Sequence, residues 1–430
     1  MSEGRIWDFN TGKLRENSMT TRRHLLTGAA IGLMTTIGLA GLSPALAQTK
    51  EVKVGLIAPT SGPWGRQGQL MTAGAQLAID EINKGGGIKA LGGAKMKLVV
   101  FDTGDSVEKA KSAAQRMVSE EPDLAGATGC FLSSFTLAVS EVTERAELPF
   151  LTFSYSDLIT SRGFKYIFKT SPTGGQLAAS ALPTVIKLAQ QATGKKPETI
   201  GILMDNTASP VSFTKDMRQS GIQELGLKLI TDQTFTPPLS DATPLVQQVR
   251  SHKPDILLML ATSAPDDKLV LEKLSEFGLG GGKIPVVANG THIGVPELVK
   301  MTDPAVLEGV MSIVSNWGAK GQEAIIKEFQ QRTGQPWMTE DSMSSYGDMW
   351  IFKEALETAK SADRKEVAEA IRKMDMTTGP ALYYPGHRVA FDKNGLRLGA
   401  TLLIYQWQNG VPVTVYPQDS AVAPLKWPKS

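Results

Sequence analysis

Short apolar runs alternate with helical patterns along most of this 430-residue chain. A first series of runs reads VKVGLIA, MKLVVFD, DLAGATG, PFLTF and YIFK, and a second series reads TIGILMD, LKLITDQTF, DILLMLA and KIPVVA. Most runs are continuous rather than alternating, which is typical of parallel strands that are buried on both faces. The two series of strand and helix units predict an α/β fold with two doubly wound parallel-sheet lobes.

The segment after the first run carries an apparent signal for a nucleotide cofactor. An apolar stripe at helical spacing predicts a helix over residues 70–84, and MKLVVFD follows as a strand. Between them, Gly85, Gly87 and Ala90 have the G-x-G-x-x-A spacing of a dinucleotide-binding fingerprint. That fingerprint requires glycines that follow a strand and open a helix. Here the order is reversed, so the glycines predict a helix C-cap and a turn, and we expect no cofactor.

Later segments indicate that the chain passes between the lobes more than once. The run EGVMSIVSNWG leads into three helical patterns, and two final strands flank Asn409 and Gly410, a strong hairpin signal. Together with YIFKTSPTGGQLA between the two series, these segments predict three hinge crossovers, near Thr170, Val314 and Leu398. The alternative from the pattern alone is two sequential domains with terminal helices.

The N-terminal segment has the features of an export signal. The pair Arg22 and Arg23 precedes an apolar run over residues 25–42 and the A-L-A sequence of a small-residue cleavage site. We predict a cleaved signal over residues 1–47, of the twin-arginine or the Sec type, and a periplasmic mature protein. An N-terminal membrane anchor is the alternative.

Charge and cysteine content exclude several classes of function. The formal net charge is +2, and basic and acidic residues balance once residues 1–47 are removed. No block dense in Lys and Arg occurs, so we expect no nucleic-acid partner. Cys130 is the only cysteine, which excludes an intrachain disulfide.

The sequence has no motif of a catalytic or metal site. Its four histidines stand far apart, without an H-E-x-x-H motif, and no G-x-S-x-G nucleophile elbow occurs. We therefore expect neither catalytic residues nor a metal. The loops that follow the predicted strands are instead rich in Ser, Thr and Asn, which suits hydrogen bonding to a small polar ligand. In open parallel sheets, ligands bind beyond the carboxyl ends of the strands, where these loops lie.

Three long stretches match a family pattern: VKVGLIAPTSGPWGRQGQLMTAGAQLAIDEINKGGGI, GATGCFLSSFTLAVSEVTERAELPFLTFSYSDLIT and SSYGDMWIFKEALETA. In these stretches the chain resembles periplasmic solute-binding proteins of ABC importers, of the leucine/isoleucine/valine-binding type. The resemblance implies a two-lobe clamshell with three crossovers and no catalytic activity, which captures a small ligand and hands it to a membrane permease. We expect a monomer.

On this basis the chain divides into discontinuous lobes. We expect the N-terminal lobe to comprise residues 52–172 plus 314–397, and the C-terminal lobe to comprise residues 173–313 plus 398–417. Residues 418–430 form a C-terminal tail.

The resemblance also implies which residues hold the ligand. In amino-acid-binding members, groups after the third and fourth strands hold the ligand carboxylate; at these positions stand Ser133, Ser134, Ser154, Tyr155 and Ser156. An aromatic in the first loop commonly covers the ligand; the corresponding residue is Trp64, with Arg66 and Gln67 nearby. The second lobe adds side chains from its own strand ends; the candidates are Asn206, Ser209, Ser263, Asn289 and Thr291.

One departure from the family pattern affects the identity of the ligand. The loop ANGTHIG has no acid to meet a ligand ammonium, and Asp157 or Asp266 are the candidate substitutes. If neither serves, the ligand is a carboxylate or amide without a free amine, for example an aromatic acid. Two other functions remain as alternatives: a ligand-sensing receptor domain of the same fold, and an exported enzyme on a Rossmann-like scaffold.

Overall fold

A five-stranded parallel sheet forms the core of the first lobe. The computed structural model describes residues 51–427, so the predicted signal over residues 1–47 lies outside the described part. The strands are β1 (Glu51–Ala58), β2 (Lys95–Asp102), β3 (Gly126–Gly129), β4 (Phe150–Thr152) and β5 (Ile167–Lys169), and the helices between them are α1 (Gly65–Lys84), α2 (Val107–Glu120) and α3 (Ser133–Arg145). The spatial order is β2-β1-β3-β4-β5, with every neighbouring pair parallel.

A seven-stranded sheet forms the core of the second lobe. It is entered through α4 (Gly174–Thr193) and contains β6 (Thr199–Asp205), β7 (Lys228–Phe235), β8 (Ile256–Leu260), β9 (Val286–Asn289) and β10 (Met311–Val314). The intervening helices are α5 (Ala208–Asp216), α6 (Ile222–Glu224), α7 (Thr243–His252), α8 (Ala264–Glu276), α9 (Leu298–Met301) and α10 (Pro304–Leu307).

The chain then returns to the first lobe before it ends in the second. The returning elements are α11 (Glu323–Thr333), α12 (Glu340–Ala359), α13 (Arg364–Arg372), β11 (Asp375–Met376) and β12 (Val389–Ala390). Helix α12 packs against α1 and β3, and its first ten residues are all buried. The last strands, β13 (Leu403–Gln408) and β14 (Val411–Tyr416), complete the second sheet in the order β14-β13-β10-β9-β8-β6-β7.

The glycine-rich segment and the hairpin confirm two predictions from local sequence. The helix before the glycines begins at Gly65, five residues before the predicted start, and its C-cap is Gly85. Gly87 has a φ of +72°, and a Cβ there would lie 2.4 Å from the carbonyl oxygen of Ala94, so only glycine fits this turn between α1 and β2. At the chain's end, β13 and β14 pair antiparallel around Asn409 and Gly410, as the hairpin signal predicts.

Among the described residues, we find neither a membrane-spanning helix nor a metal-binding cluster. Within residues 51–427, no helix combines the length and the apolar character that a bilayer crossing requires. Over the same range, no group of three or more His, Cys, Asp or Glu side chains has the geometry to hold a metal ion.

Candidate functional site

A small cavity of about 40 Å³ lies where the two lobes meet. Its lining comes from the carboxyl ends of strands in both sheets, as expected for a ligand site in open parallel sheets. The first-lobe residues that line it are Phe131, Leu132, Ser133, Phe153, Ser154 and Tyr155, joined by Glu340 at the start of α12. The second-lobe residues are Ser209, Thr262, Asn289, Gly290, Thr291 and His292.

Six of the twelve residues predicted from the sequence to bind the ligand line this cavity: Ser133, Ser154, Tyr155, Ser209, Asn289 and Thr291. They come from four separate segments of the chain: the start of α3, the loop after β4, the start of α5, and the end of β9 with the loop that follows it. The structure therefore brings half of the predicted set together in one place. Their contact with a ligand stays a prediction.

The first-lobe wall combines aromatic rings with hydroxyl groups. Ser133 is the first residue of α3, and its Oγ accepts a hydrogen bond from the N–H of Ser156 over 3.0 Å. Its own hydroxyl hydrogen therefore remains available to donate. Ser154 Oγ donates to the carbonyl oxygen of Cys130 over 2.6 Å. Because the first N–H groups of a helix have no intrahelical acceptor, the start of α3 adds further donors to this wall.

Glu340 is a lining residue that the sequence did not reveal. The hydroxyl of Tyr155 donates to its carboxylate over 2.7 Å, and the N–H of Ser315 donates to Oε1 over 3.0 Å. Burial raises the pKa of Glu340 to about 7. A group of the cavity wall thus changes charge near neutral pH. The only sequence signal for it is a pair of adjacent acids at the start of a helix, where acids are common for reasons unrelated to a ligand.

Asp341, the next residue of α12, connects the lobes. The hydroxyl of Thr291, which follows β9, donates to Asp341 Oδ2 over 2.9 Å. The carboxyl group of Asp341 is fully buried; burial, and next the nearby charge of Glu340, raise its pKa to about 8. Its other oxygen, Oδ1, has no hydrogen-bond partner among the described residues.

His292 lines the cavity as a ring whose two nitrogens both face acceptors. Nδ1 is hydrogen-bonded to Asp267, and Nε2 lies 3.0 Å from the carbonyl oxygen of Asn289. Burial by itself lowers the pKa of His292, but the charge of Asp267 and its hydrogen bond outweigh burial and raise that pKa to about 9. A carbonyl and a carboxylate can only accept, so this geometry favours the doubly protonated imidazolium.

The remaining six predicted residues lie outside the cavity lining: Trp64, Gln67, Ser134, Ser156, Asn206 and Ser263. Gln67 is buried on α1. Asn206 donates to the hydroxyl of Thr236 over 2.8 Å, and Ser263 caps α8 by accepting from the N–H of Asp266. The sequence alone could not separate these caps and turns from ligand contacts, because Ser and Asn serve both roles.

Three of those six residues form hydrogen bonds between the lobes. Trp64 Nε1 donates to the carbonyl oxygen of Thr262 over 3.1 Å, and the hydroxyls of Ser156 and Ser212 lie 3.1 Å apart. Ser134 Oγ accepts from the N–H of Ala208 at the start of α5, over 3.3 Å. The structure therefore has the lobes in contact around the cavity.

Neither acid predicted as a substitute partner for a ligand ammonium lines the cavity. Asp157 accepts from the N–H of Gly175 over 3.0 Å, and Asp266 accepts from the N–H of Leu239 over 2.8 Å. A contact of Asp157 or Asp266 with a ligand ammonium stays a prediction, and the acid that lines the cavity is Glu340. Tertiary packing decided this, because α12 inserts its N-terminus between the two lobes.

Comparisons with known proteins match nearly the whole chain. The family model described as periplasmic binding protein matches residues 51–411. The chain is similar to the Leu/Ile/Val-binding protein homolog 8 of Brucella melitensis biotype 1. The two are 27% identical over 421 residues, which cover 94% of this chain and 99% of the relative.

Two solved structures share the fold at low sequence identity. The substrate-binding protein LivJ of Streptococcus pneumoniae, in complex with isoleucine, matches with a TM-score of 0.71 and 17% identity, covering 85% of this chain and 100% of that one. A solute-binding protein of an ABC transporter from R. palustris, in complex with benzoate, matches with a TM-score of 0.72 and 16% identity, covering 87% and 97%.

These matches confirm the predicted type I clamshell with two doubly wound lobes. The family match also confirms the prediction of a binding protein rather than an enzyme. On the evidence of the fold, the cavity between the lobes and the family model, the chain belongs to the periplasmic binding protein family.

Proposed function

We propose that the protein is the extracytoplasmic substrate-binding subunit of an ABC importer, which captures a small ligand between its lobes and delivers it to a membrane permease. The observation that carries this proposal is the cavity lined by strand ends of both lobes. A ligand that contacts both lobes favours the closed form over the open one, so ligand binding and lobe closure are coupled.

The proposed closure uses the lobe bounds predicted from the sequence, residues 52–172 plus 314–397 and residues 173–313 plus 398–417. The described bonds between the lobes would break on opening. They include the Trp64 to Thr262 hydrogen bond, the Thr291 to Asp341 hydrogen bond and the ion pair of Arg66 with Glu297 at 2.7 Å. Ligand contacts to both lobes add to these bonds in offsetting the cost of ordering the two lobes against each other.

We propose a small organic carboxylate as the ligand, with amino acids and aromatic acids as the two candidate classes. Ser133 and the N–H groups at the start of α3 are the donors that would hold the carboxylate. Phe131 and Phe153 supply apolar surface for the rest of the ligand. Both candidate classes occur in solved structures of similar fold, one of which contains isoleucine and another benzoate.

We further propose export through the signal over residues 1–47, by the twin-arginine or the Sec route, and a monomeric mature protein. A monomer suits a subunit that presents both lobes to one permease. Sedimentation velocity of the mature chain tests the monomer, and cell fractionation of an Arg22→Lys, Arg23→Lys variant tests the twin-arginine route.

A ligand screen and a scattering measurement test the proposed function. A panel of amino acids and aromatic acids is added to the purified mature protein while the melting temperature and the amount of unchanged ligand are followed. We expect saturable stabilisation without product, and a smaller radius of gyration by small-angle X-ray scattering once ligand is bound. Turnover of the ligand, or no response to any organic solute, would contradict the proposal.

A further inference from the structure

Lys169, the last residue of β5, has an entirely buried side chain. Its Nζ donates to the carbonyl oxygens of Tyr155 over 2.7 Å and of Ser156 over 3.1 Å. Within residues 51–427 it forms no ion pair, although the charge of Asp157 acts on it. An ammonium is costly to bury without a carboxylate partner, which makes Lys169 a candidate for a role other than stability.

The backbone of Lys169 lies where the first and the third predicted crossovers pair. Its N–H donates to the carbonyl oxygen of Gly395 over 2.7 Å, and its own carbonyl oxygen accepts from the N–H of Arg397 over 2.9 Å. Gly395 has a φ of +78°, and a Cβ there would lie 2.0 Å from the carbonyl oxygen of Ile167, so only glycine permits this approach. The lysine is therefore held by two of the segments that join the lobes.

The two carbonyl groups that Lys169 binds belong to peptide groups with different partners at their N–H ends. Both peptide groups are trans, so the C=O and the N–H of each point in opposite directions. The N–H of Ser156 donates to Ser133 Oγ in the cavity wall over 3.0 Å. The N–H of Asp157 donates to Ser212 Oγ, on α5 of the second lobe, over 3.3 Å. One peptide group thus connects the lysine to the cavity, and the next connects it to the other lobe.

The ammonium is the charged donor to both carbonyl groups. Each carbonyl oxygen also accepts one backbone N–H, that of Gly174 over 2.6 Å for Tyr155 and that of Ile159 over 3.3 Å for Ser156. Hydrogen bonds from a charged donor are stronger than those from a neutral one, and bonds in a chain polarise one another. The ammonium therefore makes both peptide N–H groups, and through them the hydroxyl of Ser133, better donors.

The charge of Lys169 is poised to change near neutral pH. Burial lowers the pKa of Lys169 to about 7, against the charge of Asp157, which raises it. The other charged groups nearby are Glu340, which is bonded to Tyr155, and Arg397 and Asp348, which both contact Thr170.

We propose that Lys169 is a positioning residue for both the cavity wall and the contact between the lobes. Its ammonium orients and polarises two peptide groups, which in turn position the hydroxyls of Ser133 and Ser212. Loss of the proton weakens both contacts, so the paired crossovers contain a charge-dependent control of closure. The proposal deepens the proposed function and rests on it only for the effect on ligand affinity.

Backbone amide signals of the empty mature protein test the proposal without a ligand. In two-dimensional NMR spectra, we expect the amide proton signals of Ser156 and Asp157 to shift with pH, with a midpoint near 7, the pKa of Lys169. The pKa of Glu340 is also about 7, so the titration is repeated in Glu340→Gln, where the shift should persist. No shift near pH 7 in the unmodified protein, or its disappearance in Glu340→Gln, would overturn the proposal.

Variants of Lys169 attribute the shift to the ammonium. Lys169→Met removes the charge at a similar side-chain length, so the two amide signals should no longer move near pH 7. Lys169→Arg stays protonated, so the signals should keep their low-pH positions throughout. Lys53→Met is the matched control, because Lys53 lies near the start of β1, at the opposite end of the same sheet from the cavity. A shift that persists in Lys169→Met would overturn the proposal.

Ligand affinity tests the step from the peptide groups to the cavity. With isoleucine and benzoate as probes, we expect Lys169→Met to raise the dissociation constant of a probe that binds at least about fivefold by titration calorimetry. Lys169→Arg should recover most of that loss, and Lys53→Met should bind as the unmodified protein does. An unchanged dissociation constant in Lys169→Met would overturn this step.

The outcomes separate this proposal from the proposed function. If neither probe binds, the amide titration still decides whether Lys169 controls the two peptide groups. If Lys169→Met fails to fold, the titrations of the unmodified protein and of Glu340→Gln decide it. The proposed function is rejected separately, by the absence of a melting shift with any organic solute in the wider panel.

Discussion

The N-terminal end of α12 and its middle carry buried acids that hold different parts of the molecule together. In the middle, Asp348 accepts from the phenol of Tyr384 over 2.6 Å and from the hydroxyl of Thr128 over 2.5 Å. Both donors pack with α12 in the first lobe. At the N-terminal end, Asp341 accepts from Thr291, which follows β9 in the second lobe, and Glu340, which lines the cavity, accepts from Tyr155 and Ser315. The same chemistry thus joins elements within one lobe in the first case and links two lobes in the second.

This difference shows that burial and a raised pKa do not by themselves identify a ligand site. Burial raises the pKa of Asp348 to about 6 and that of Glu340 to about 7, so the two groups look alike by that measure. What separates the two ends of α12 is their place relative to the cavity. Glu340 lines the cavity, and the donor of Asp341 lies on the other lobe and leaves when the lobes open, which ties the acids at the helix start to ligand capture.

The largest expected effect is on stability, at the middle of the helix. Asp348→Ala leaves the buried hydroxyl of Thr128 without its acceptor and that of Tyr384 with only a 3.4 Å hydrogen bond to the carbonyl oxygen of Ser344, so we expect a loss of about 3 to 5 kcal/mol in the free energy of unfolding. Urea denaturation of the empty protein measures this. The affinity of the folded fraction for its ligand should change little. A large change in affinity with unchanged stability would contradict the different roles assigned to the middle and the N-terminal end of α12.

The next effect is on affinity, at the start of the helix. Glu340→Gln keeps the side-chain shape but removes the negative charge that a ligand ammonium would face. We expect binding of an amino acid to weaken by about 1.5 to 3 kcal/mol, a hydrogen bond to a charged group, as measured by titration calorimetry. The melting temperature of the empty protein should not fall, since a buried charge is removed. A destabilised protein with normal affinity would assign Glu340 a structural role.

The pH dependence of stability should separate the two ends. An acid whose pKa is higher in the folded chain than in the unfolded chain binds more protons when folded, so the free energy of unfolding falls as the pH rises. For Asp348 this loss ends near pH 6, whereas for Asp341 it continues to about pH 8. His292 adds a loss of the same sign between pH 6.5 and about 9.

Denaturation of the empty protein at pH 5, 6.5 and 8.5 should therefore show a decrease between the last two values of at least about 1.4 kcal/mol, the equivalent of one pKa unit. Asp341→Asn should flatten the curve from about pH 4 up to about pH 8. Asp348→Asn should flatten it only up to about pH 6 and leave the part between pH 6 and 8 unchanged. Identical curves for both variants would contradict the assignment.

The smallest expected effect comes from a matched pair of tyrosines. Tyr155 donates to Glu340 and Tyr384 donates to Asp348. A Tyr→Phe substitution at either position therefore removes one hydrogen bond from a phenol to a buried acid. Tyr384→Phe should lower the free energy of unfolding by about 0.5 to 1.5 kcal/mol and leave affinity unchanged. Tyr155→Phe should lower affinity by a similar amount, because its partner lines the cavity. Urea denaturation and calorimetry on both variants provide the comparison.

The sequence by itself determined the architecture, because the signals involved are local. The continuous apolar runs became the parallel strands, the glycines after residue 84 became the turn between α1 and β2, and Asn409 and Gly410 became the hairpin. Each of these depends on backbone conformations and burial patterns that span only a few residues. The loops that carry the cavity could be located for the same reason, since they follow the strands.

Only the tertiary structure decided which polar groups meet. Tyr155 and Glu340 are 185 positions apart, and two acids at the start of a helix look like ordinary favourable residues near its positive dipole. The same ambiguity affected Trp64, which the structure places in a bond between the lobes rather than in the cavity lining. Contacts of this kind depend on how two lobes pack, and a short stretch of sequence has no information about the surface that will face it.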